Sequence, residues 1–363
     1  MNTSPRIVHV QLGPRSYPIE IGTGNLGRSA GMMLQCQPVT HAVIITDMNV
    51  SETHAASVAR SLDAEQIAVD LLVIEPGEAA KCVDTAEQLW QKLLDLRTDR
   101  RSWIVAVGGG VVGDLAGFVA ATFTRGLSFL QVPTTLLAQV DSSVGGKVGV
   151  NLPSAKNMVG AFWQPRAVLI DTAVLATLPE REYRSGLAEV VKYGVILDAE
   201  FFEFLDGRAE ALLNQDPRVL ESVIERCCQL KADVVAADEC DLSGRRAVLN
   251  YGHTFCHALE TLTGYSQLLH GEGVAIGMQC AARLAERLGR VDAGFTTRQR
   301  DLLVRLGLPV AVPKLDHQAI VDCMARDKKV EHGRLHFVLP SRLGHVELVS
   351  GIDSSDVLAA LQD

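Results

Sequence analysis

Two histidines four residues apart are the first feature of this sequence that could do chemistry. His253 and His257, in LNYGHTFCHALE, would share one face of a helix, so both could converge on one metal ion. His270 follows in LLHGEGVAIGM, and Glu189 lies upstream in SGLAEVVKYG. One glutamate with two or three histidines is a usual ligand set for a divalent metal that keeps an open position for substrate. Thr254 follows His253, so the HExxH pattern of metalloproteases is absent, and two ordinary helix histidines remain the alternative.

A glycine-rich turn in WIVAVGGGVVGDLAGFVAA is the second such feature. Gly108, Gly110 and Gly113 fit the pattern G-x-G-x-x-G between a predicted strand and a predicted helix. Such a turn lets the backbone approach a pyrophosphate, which the N-terminal N–H groups of the helix can bind. The acidic residue expected about 20 residues further on is missing, because Pro133 lies there; Asp47, after the strand AVIIT, could serve a nucleotide instead. A glycine turn that only allows close packing remains the alternative.

Cationic and polar side chains accompany both features. Lys192 comes one helical turn after Glu189. Arg246 and Asn250 precede His253 by seven and three residues, so on one continuous helix these three would face one side. Arginine and lysine bind phosphate and carboxylate groups, although each of these charges alone is typical of a solvated surface. Together with a metal and a dinucleotide they indicate redox chemistry on a hydroxylated, phosphorylated acid. Further candidates in glycine-rich or turn-like segments are Asp141, Lys147, Lys156, Asn157, Lys328 and Lys329.

The hydrophobic pattern predicts two regions of different type. In the first half, strand-like runs alternate with helical patterns such as 84–97, which indicates an α/β domain with a mainly parallel sheet. From the turn LPERE onward, segments with a period near 3.6 predict a mostly helical domain. We therefore divide the chain into domains 1–180 and 181–363. The predicted strands are 6–12, 42–46, 68–74, 103–107, 128–132 and 167–171, with two more at 335–339 and 345–349. The predicted helices of the second domain are 183–196, 217–237, 247–262, 271–288 and 295–306.

Composition and charge exclude several classes of protein. The chain has 363 residues, of which 47% are hydrophobic, as in a globular protein with a core. Its net charge of −9 argues against nucleic-acid binding, which needs a basic face. No apolar run reaches the roughly 18 residues of a membrane span, and MNTSPRIVHVQLG has no signal-peptide pattern. The eight cysteines form no CxxC pair, so we expect free thiols in a reducing cytoplasm.

Eight motifs occur in an order that resembles one enzyme family. They are GGGVVGDLAGFVAA, FTRG, PTTLLAQVDSSVGGK, AKNMVGAFWQP, LPEREYRSGLAEVVKYG, LNYGHTFCHALE, HGEGVAIGM and DKK. Through these motifs nearly the whole chain is similar to the 3-dehydroquinate synthases, carbon–oxygen lyases of the shikimate pathway. The resemblance implies a Rossmann-like domain that binds NAD, a helical domain that binds zinc or cobalt, an active site in the cleft between them, and a homodimer.

The reaction that the resemblance implies converts 3-deoxy-D-arabino-heptulosonate 7-phosphate to 3-dehydroquinate and phosphate. NAD oxidises the C5 hydroxyl, and the resulting ketone acidifies the neighbouring C–H, so that phosphate is eliminated. The hydride then returns, the ring opens, and an intramolecular aldol step closes the carbocycle. There is no net redox change, and NAD is therefore used catalytically.

The resemblance also implies roles for individual residues. Glu189, His253 and His270 match the metal ligands, whereas His257 matches a histidine near the metal that takes part in proton transfer. Arg125 matches an arginine that reaches the phosphate site of the neighbouring subunit. The substrate-site matches are Asp141, Lys147, Asn157, Lys192, Arg246, Asn250 and Lys328. The NAD-site matches are Asp47, Asn49, Glu78, Lys81, Gly109, Gly110, Val111, Asp114, Thr134, Thr135, Thr177 and Leu178, with Asp141, Lys147 and Lys156 in addition. The position of Lys156 lies against both the cofactor and the substrate pocket.

The sequence departs from the family pattern at a few positions and leaves other functions open. Cys256 stands where the family usually has glycine, and GKVGVN and FTRG replace commoner forms. One alternative is a related cyclase acting on glucose 6-phosphate or sedoheptulose 7-phosphate. Those relatives tend to replace part of the set Asn157, Asn250, His257 and Lys328. A metal-dependent alcohol or polyol dehydrogenase would produce net NADH. A non-catalytic nucleotide-binding protein would leave the metal and cation set unexplained. The sequence does not distinguish zinc from cobalt.

Overall fold

Two compact units make up the chain in the computed structural model, which describes residues 5–153, 155–265, 267–326 and 336–362. The first unit consists of the residues up to Leu178 together with Leu220–Cys240. The second consists of Pro179–Val219 together with the residues from Asp241 onward. The division into an NAD-binding domain 1–180 and a metal- and substrate-binding domain 181–363 stays a prediction. The segment Leu220–Cys240 belongs to the first unit because it makes more contacts with residues of that unit than with the second.

The secondary structure alternates in the first unit and is mostly helical in the second. The strands are β1 (Arg6–Val10), β2 (Tyr17–Gly22), β3 (His41–Asp47), β4 (Ala68–Ile74), β5 (Trp103–Gly108), β6 (Ser128–Pro133), β7 (Lys147–Leu152), β8 (Ala155–Phe162), β9 (Ala167–Asp171), β10 (His336–Arg342) and β11 (His345–Ser350). The α-helices are α1 (Ser29–Cys36), α2 (Ala56–Ala64), α3 (Val83–Asp95), α4 (Gly110–Thr122), α5 (Glu180–Leu197), α6 (Ala199–Gly207), α7 (Ala209–Leu213), α8 (Pro217–Ala237), α9 (His253–Leu262), α10 (His270–Arg287), α11 (Ala293–Arg305), α12 (His317–Arg326) and α13 (Ser354–Ala360).

A sheet in the order β1-β2-β9-β6-β5-β3-β4 forms the frame of the first unit. β1 and β2 pair antiparallel, and the other neighbouring strands pair parallel, which confirms the predicted α/β class with a mainly parallel sheet. In a parallel sheet the carboxyl ends of the strands lie at one edge, where α/β proteins bind their ligands. The residues that follow β3, β5, β6 and β9 therefore share an edge.

The hydrophobic pattern does not predict three of the strands. In β2, Tyr17, Ile19 and Ile21 are separated by Pro18 and Glu20, and a proline within so short a run argues against a strand. β7 and β8 form an antiparallel hairpin that begins in the glycine-rich GGKVGVN segment. A Cβ on Gly149 would lie 2.6 Å from the carbonyl oxygen of Val159, so the two strands approach too closely for a side chain there. Close backbone contact rather than apolar alternation therefore specifies this hairpin.

Helices α5, α9 and α10 approach one another so closely in the second unit that glycine is needed at their contacts. A Cβ on Gly271 would overlap the carbonyl oxygen of Ser185 on α5. One on Gly277 of α10 would overlap the carbonyl oxygen of Gly252, just before α9. Gly252 has a φ of 78°, a left-handed conformation that favours glycine. These contacts fix where the first residues of α9 and α10 lie.

The predicted helix 247–262 is wrong in its first part. Arg245–Asn250 forms a 3-10 helix, and α9 begins only at His253, after the left-handed glycine. The prediction that Arg246 and Asn250 lie on one helix face with His253 is therefore also wrong, because no continuous helix joins them.

The remaining predicted elements of the second half agree with the structure to within a few residues at each end. They correspond to α5, α8, α10, α11, β10 and β11, and the last two strands pair antiparallel. Residue 335, the first of one predicted strand, lies outside the described residues. Within the described ranges, no helix has the length and apolar character needed to cross a membrane.

Two helix glycines provide a test of the packing in the first unit. A Cβ on Gly117 of α4 would overlap the side chain of Val148 on β7, whereas one on Gly31 of α1 would meet nothing within 4 Å. We expect Gly117→Ala to lower the free energy of unfolding by about 1–3 kcal/mol through overpacking. Gly31→Ala should raise it by about 0.4–1 kcal/mol, because it restricts the unfolded chain. Thermal unfolding followed by circular dichroism measures both; equal stability of the two variants would contradict the close packing of α4 on β7.

Candidate functional site

Three side chains of the second unit bring together atoms that can bind a metal ion. Glu189 lies in the middle of α5, and His253 and His270 are the first residues of α9 and α10. One ligand atom from each lies within 4.8 Å of the other two. The Glu189 Oε1 atom is 3.5 Å from His253 Nε2 and 3.6 Å from His270 Nε2.

The carboxylate of Glu189 is fully buried, with 0% of its side chain exposed. Its other oxygen, Oε2, forms an ion pair with Lys192, which lies one turn further along α5 and is itself buried. A buried charge is costly unless an opposite charge accompanies it. Lys192 therefore stabilises the ionised carboxylate, which is the form that binds a cation.

The ring of His253 is held by a backbone carbonyl. Its Nδ1 lies 3.0 Å from the carbonyl oxygen of Tyr251, so Nδ1–H donates and Nε2 carries the free lone pair. Burial, together with the nearby charge of Lys192, lowers the pKa of His253 well below its usual value. A neutral imidazole with Nε2 directed at Glu189 is the form that a metal requires.

The ring of His270 is held by a carboxylate that sequence reasoning missed. Its Nδ1 lies 3.1 Å from Oε1 of the buried Glu260, which leaves Nε2 directed at Glu189. Burial opposes a charge on His270, but hydrogen bonds to Cys256, Glu189 and Glu260 outweigh it and raise the pKa. Glu260 lies seven residues after His253, two turns along α9, and this spacing is the signal in the sequence that could have indicated it.

The donor set fits a zinc or cobalt ion. It consists of one carboxylate oxygen and two imidazole nitrogens, and each ring donates its other N–H to an oxygen, the usual arrangement behind a metal-bound histidine. Three protein ligands leave at least one position for a substrate oxygen. His257 is not part of this set: its ring centroid lies 5.7 Å from that of His253, with the rings nearly perpendicular at 88°.

The other predicted residues of the second unit lie on its 3-10 helix or outside the described part. Arg246 is buried and Asn250 is half-buried, both on Arg245–Asn250. The predicted substrate residue Lys328 and its neighbour Lys329 lie outside the described residues.

The glycine turn of the first unit lies between β5 and α4. A Cβ on Gly109 would lie 3.0 Å from the side chain of Thr135, one on Gly110 3.1 Å from Ser142 Oγ, and one on Gly113 2.9 Å from Gln131 Oε1. Close packing thus accounts for part of the glycine pattern. The same turn also leaves the first N–H groups of α4 available to an anion, so the two explanations of the pattern are compatible.

The predicted NAD residues mostly follow the carboxyl ends of adjacent parallel strands. Asp47 ends β3, and its Oδ1 accepts a hydrogen bond from the N–H of Asn49. Thr134 follows β6 and donates its N–H to the carbonyl oxygen of Gly108, the last residue of β5. Because β9, β6, β5 and β3 are neighbours in that order, these segments meet at one edge of the sheet. The predicted residues at this edge are Asp47, Asn49, Gly109, Gly110, Val111, Asp114, Thr134, Thr135, Thr177 and Leu178.

Lys81 connects several predicted residues of the first unit. Its Nζ lies 3.0 Å from Asp114 Oδ2, 2.7 Å from Asn157 Oδ1 and 3.3 Å from Glu78 Oε1. Although burial opposes the charge, the carboxylates of Asp114 and Glu78 raise the pKa of Lys81 above its usual value. Lys156 Nζ lies 4.0 Å from the same Glu78 oxygen. Predicted cofactor and substrate residues therefore belong to one charged network.

Asn151, which sequence reasoning missed, holds this network in place. Its Oδ1 accepts a hydrogen bond from the N–H of Asn157 at 2.9 Å, and its Nδ2 donates to Glu78 Oε1 at 2.7 Å. Asn157 has a φ of 55°, in the left-handed region that few residues other than glycine and asparagine adopt readily. The hydrogen bond that the N–H of Asn157 donates to Asn151 stabilises that conformation.

Two further contacts of the first unit involve predicted residues. Lys231 on α8 donates from Nζ to Asp141, at 2.8 Å to Oδ1 and 2.7 Å to the carbonyl oxygen. His54 Nε2 lies 2.9 Å from the Thr177 hydroxyl, which itself donates to a carbonyl oxygen, so the ring nitrogen is the donor. The sequence shows Lys231 only as a lysine within the helical pattern 217–237, and its burial and its contact with Asp141 come from the structure.

Arg125 and Lys147, the remaining predicted residues of the first unit, are exposed cations. Lys147 is the first residue of β7. Arg125 ends a 3-10 turn with a φ of 70°, directly before Gly126, whose missing side chain makes room for the ring of Trp163. This turn fixes the backbone from which the exposed Arg125 side chain projects.

Comparison with known proteins identifies the family. The profile of the 3-dehydroquinate synthase N-terminal region matches residues 71–185, and that of the C-terminal region matches residues 186–330. The chain belongs to the 3-dehydroquinate synthase family. A 3-dehydroquinate synthase of Rhodopirellula baltica (strain DSM 10527 / NCIMB 13988 / SH1) is 52% identical over 361 residues, which cover 98% of this chain and 96% of the relative.

Solved structures of other cyclases share the fold of this 3-dehydroquinate synthase family member. A 2-deoxy-scyllo-inosose synthase complexed with carbaglucose-6-phosphate, NAD+ and Co2+ superposes with a TM-score of 0.90 at 28% identity, covering 98% of this chain and 99% of that one. The 2-epi-5-epi-valiolone synthase ValA from Streptomyces hygroscopicus subsp. jinggangensis 5008, with NAD+ and Zn2+ bound, gives a TM-score of 0.88 at 28% identity and covers 98% of both chains.

The hydrogen bond from His270 to Glu260 provides a test of the metal site. We expect Glu260→Gln to weaken zinc binding by about 10- to 100-fold, because the neutral amide no longer orients and polarises the imidazole as a carboxylate does. Competition with a chromophoric chelator measures the affinity. Glu210→Gln, at an exposed position on α7, is the matched control and should bind zinc as the unchanged protein does. Unchanged affinity in Glu260→Gln would show that this carboxylate does not support the ligand.

Proposed function

We propose that this chain converts 3-deoxy-D-arabino-heptulosonate 7-phosphate to 3-dehydroquinate and phosphate, using catalytic NAD and a zinc or cobalt ion. The observation that carries the proposal is the buried set Glu189, His253 and His270, with both Nε2 atoms directed at the carboxylate, in a member of this family. The relative that is 52% identical carries the name of this activity.

The residues of the second unit would hold the metal ion and one end of the substrate. Glu189, His253 and His270 would bind the ion, which when present supplies polarisation of the reacting hydroxyl and of the ketone that replaces it. The two cyclase structures with NAD+ contain Co2+ and Zn2+, which supports either ion here. Arg246 and Lys192 supply positive charge for phosphate and carboxylate groups, and such fixed charges favour an anionic, enolate-like state.

A proton must leave the carbon next to the ketone before phosphate can depart. We assign His257 a role in proton transfer, because its ring stands beside His253 yet outside the ligand set. The departing phosphate can itself take the proton from carbon, so the reaction needs no dedicated carboxylate base. Holding one substrate through several steps is chiefly a matter of orientation, which the cationic side chains provide.

The residues of the first unit would bind NAD. Backbone N–H groups at the start of α4 suit a pyrophosphate, and the side chains at the carboxyl edge of the sheet suit the rest of the dinucleotide. The network around Lys81 would link this cofactor site to Asn157 on the substrate side. Asp141, Lys147 and Lys156 would lie against both molecules.

A homodimer in the cytoplasm completes the proposal. The exposed Arg125, on its rigid turn, would reach the phosphate site of a second copy of the chain. The acidic net charge of −9 and the free thiols are consistent with a cytoplasmic enzyme that binds neither nucleic acid nor membrane.

The activity is tested by following phosphate and NADH in one assay. Chain loaded with one equivalent of zinc and a catalytic amount of NAD is mixed with the heptulosonate phosphate. We expect many phosphates released per NAD, without accumulation of NADH at 340 nm, because the hydride returns to the substrate. Glu189→Gln, which removes a charged ligand, should release phosphate at least about 100-fold more slowly.

Two outcomes would overturn the proposal. Steady formation of NADH without phosphate would indicate a polyol dehydrogenase. No reaction with this substrate, but phosphate release from glucose 6-phosphate or sedoheptulose 7-phosphate, would indicate one of the related cyclases.

A further inference from the structure

A second group of metal-binding side chains lies next to the first in the second unit. Cys256, Glu260 and His270 each offer one donor atom, and the three atoms lie within 4.8 Å of one another. Cys256 and Glu260 are four residues apart on α9 and so share one face of that helix. The group has one residue, His270, in common with the set around Glu189.

The thiol of Cys256 has a defined position in this group. A Cβ on Gly273 of α10 would lie 2.8 Å from Cys256 Sγ, so the missing side chain makes room for the sulfur. Sγ lies 3.7 Å from the carbonyl oxygen of His270, close to the imidazole. The thiol is therefore held beside the ring that also faces Glu189.

The chemistry of these donors favours a soft cation. A thiolate, an imidazole and a carboxylate together suit Zn2+ better than Mg2+. Because of the sulfur, they also favour Cd2+ over Co2+. We propose that Cys256, Glu260 and His270 form a second, inhibitory site for thiophilic divalent cations. When zinc occupies Nε2 of His270, binding of the second cation would release two protons to solvent, one from the thiol and one from Nδ1 of His270. It would form bonds to sulfur, oxygen and nitrogen without any change of oxidation state.

Occupation of this site would disturb the set around Glu189. Glu260 Oε1 accepts the Nδ1–H of His270 at 3.1 Å, and a cation bound by both would replace that hydrogen bond. The ring would lose the partner that directs Nε2 at Glu189. Inhibition of the reaction rests on the proposed function, whereas binding of the cation does not.

An incoming cation would meet His270 first. The His270 side chain is 35% exposed, whereas Cys256 is fully buried and Glu260 nearly so. Cys36 and Cys240, by contrast, are exposed thiols, and among the described residues neither belongs to a group of three metal-binding side chains. These two cysteines are therefore matched controls for the effect of a thiol alone.

The experiment is a titration of the zinc-loaded chain with CdCl2. We expect one equivalent of Cd2+ to produce thiolate-to-cadmium charge-transfer absorption in the ultraviolet, with zinc retained as judged by a zinc indicator, and to stop phosphate release. Cys256→Ser and, in case serine disturbs folding, Cys256→Ala should lack the absorption and need at least about tenfold more Cd2+ for inhibition. Cys36→Ser and Cys240→Ser should behave as the unchanged chain does.

Two results would overturn this site. Equal absorption in the Cys256 variants would assign the cadmium to another thiol. Release of zinc on addition of Cd2+, without charge-transfer absorption, would mean that Cd2+ only replaces zinc at Glu189, His253 and His270. If the chain releases no phosphate from the heptulosonate phosphate, the absorption still tests the site, so failure of the proposed function and failure of this inference remain distinguishable.

Discussion

The buried carboxylate of Glu189 is the group around which the candidate metal-binding side chains of the second unit are arranged. A fully buried negative charge is stable only with compensating partners, and Lys192 and two imidazole nitrogens surround it. Replacing this arrangement by apolar residues would be the simpler way to build a helical core. The metal ion proposed to bind there accounts for the buried charge, because the charge is then needed for function rather than for folding.

Geometry of this kind requires that three helices approach closely, and small residues make the approach possible. Helices α5, α9 and α10 come into backbone contact because three glycines lie where they meet, Gly252, Gly271 and Gly277. The two histidines are the first residues of their helices, so their positions follow directly from those contacts. Substitution at these glycines would therefore disturb the candidate metal site even though none of them supplies a ligand.

Much of the fold, and part of the site, can be predicted from the sequence. Apolar strands alternating with helices specify the parallel sheet, since burial on both faces leaves a strong pattern in β3, β5 and β9. The hairpin of β7 and β8 leaves no such pattern, because glycine contacts specify it. Spacing predicts a helix over 247–262 with Arg246, Asn250 and His253 on one side, but a left-handed glycine separates the 3-10 helix Arg245–Asn250 from α9.

Residues that act through another side chain are the hardest to find in a sequence. Helical spacing makes His253 and His257 equivalent, whereas the structure directs only His253 at Glu189. Glu260 and Asn151 carry ordinary polar side chains, and only the hydrogen bonds to His270 and Asn157 reveal what they do. Spacing places Glu260 on the same face of α9 as His253, but it does not show that the carboxylate accepts a hydrogen bond from His270 on another helix.

The proposed metal site is tested most directly by diffraction at wavelengths on either side of the zinc absorption edge, from crystals of the chain loaded with one equivalent of zinc. We expect one anomalous peak, about 2.0–2.2 Å from a carboxylate oxygen of Glu189 and from Nε2 of both His253 and His270. A peak bound by His257 in place of His270, or bound through Nδ1 of His253, would contradict it.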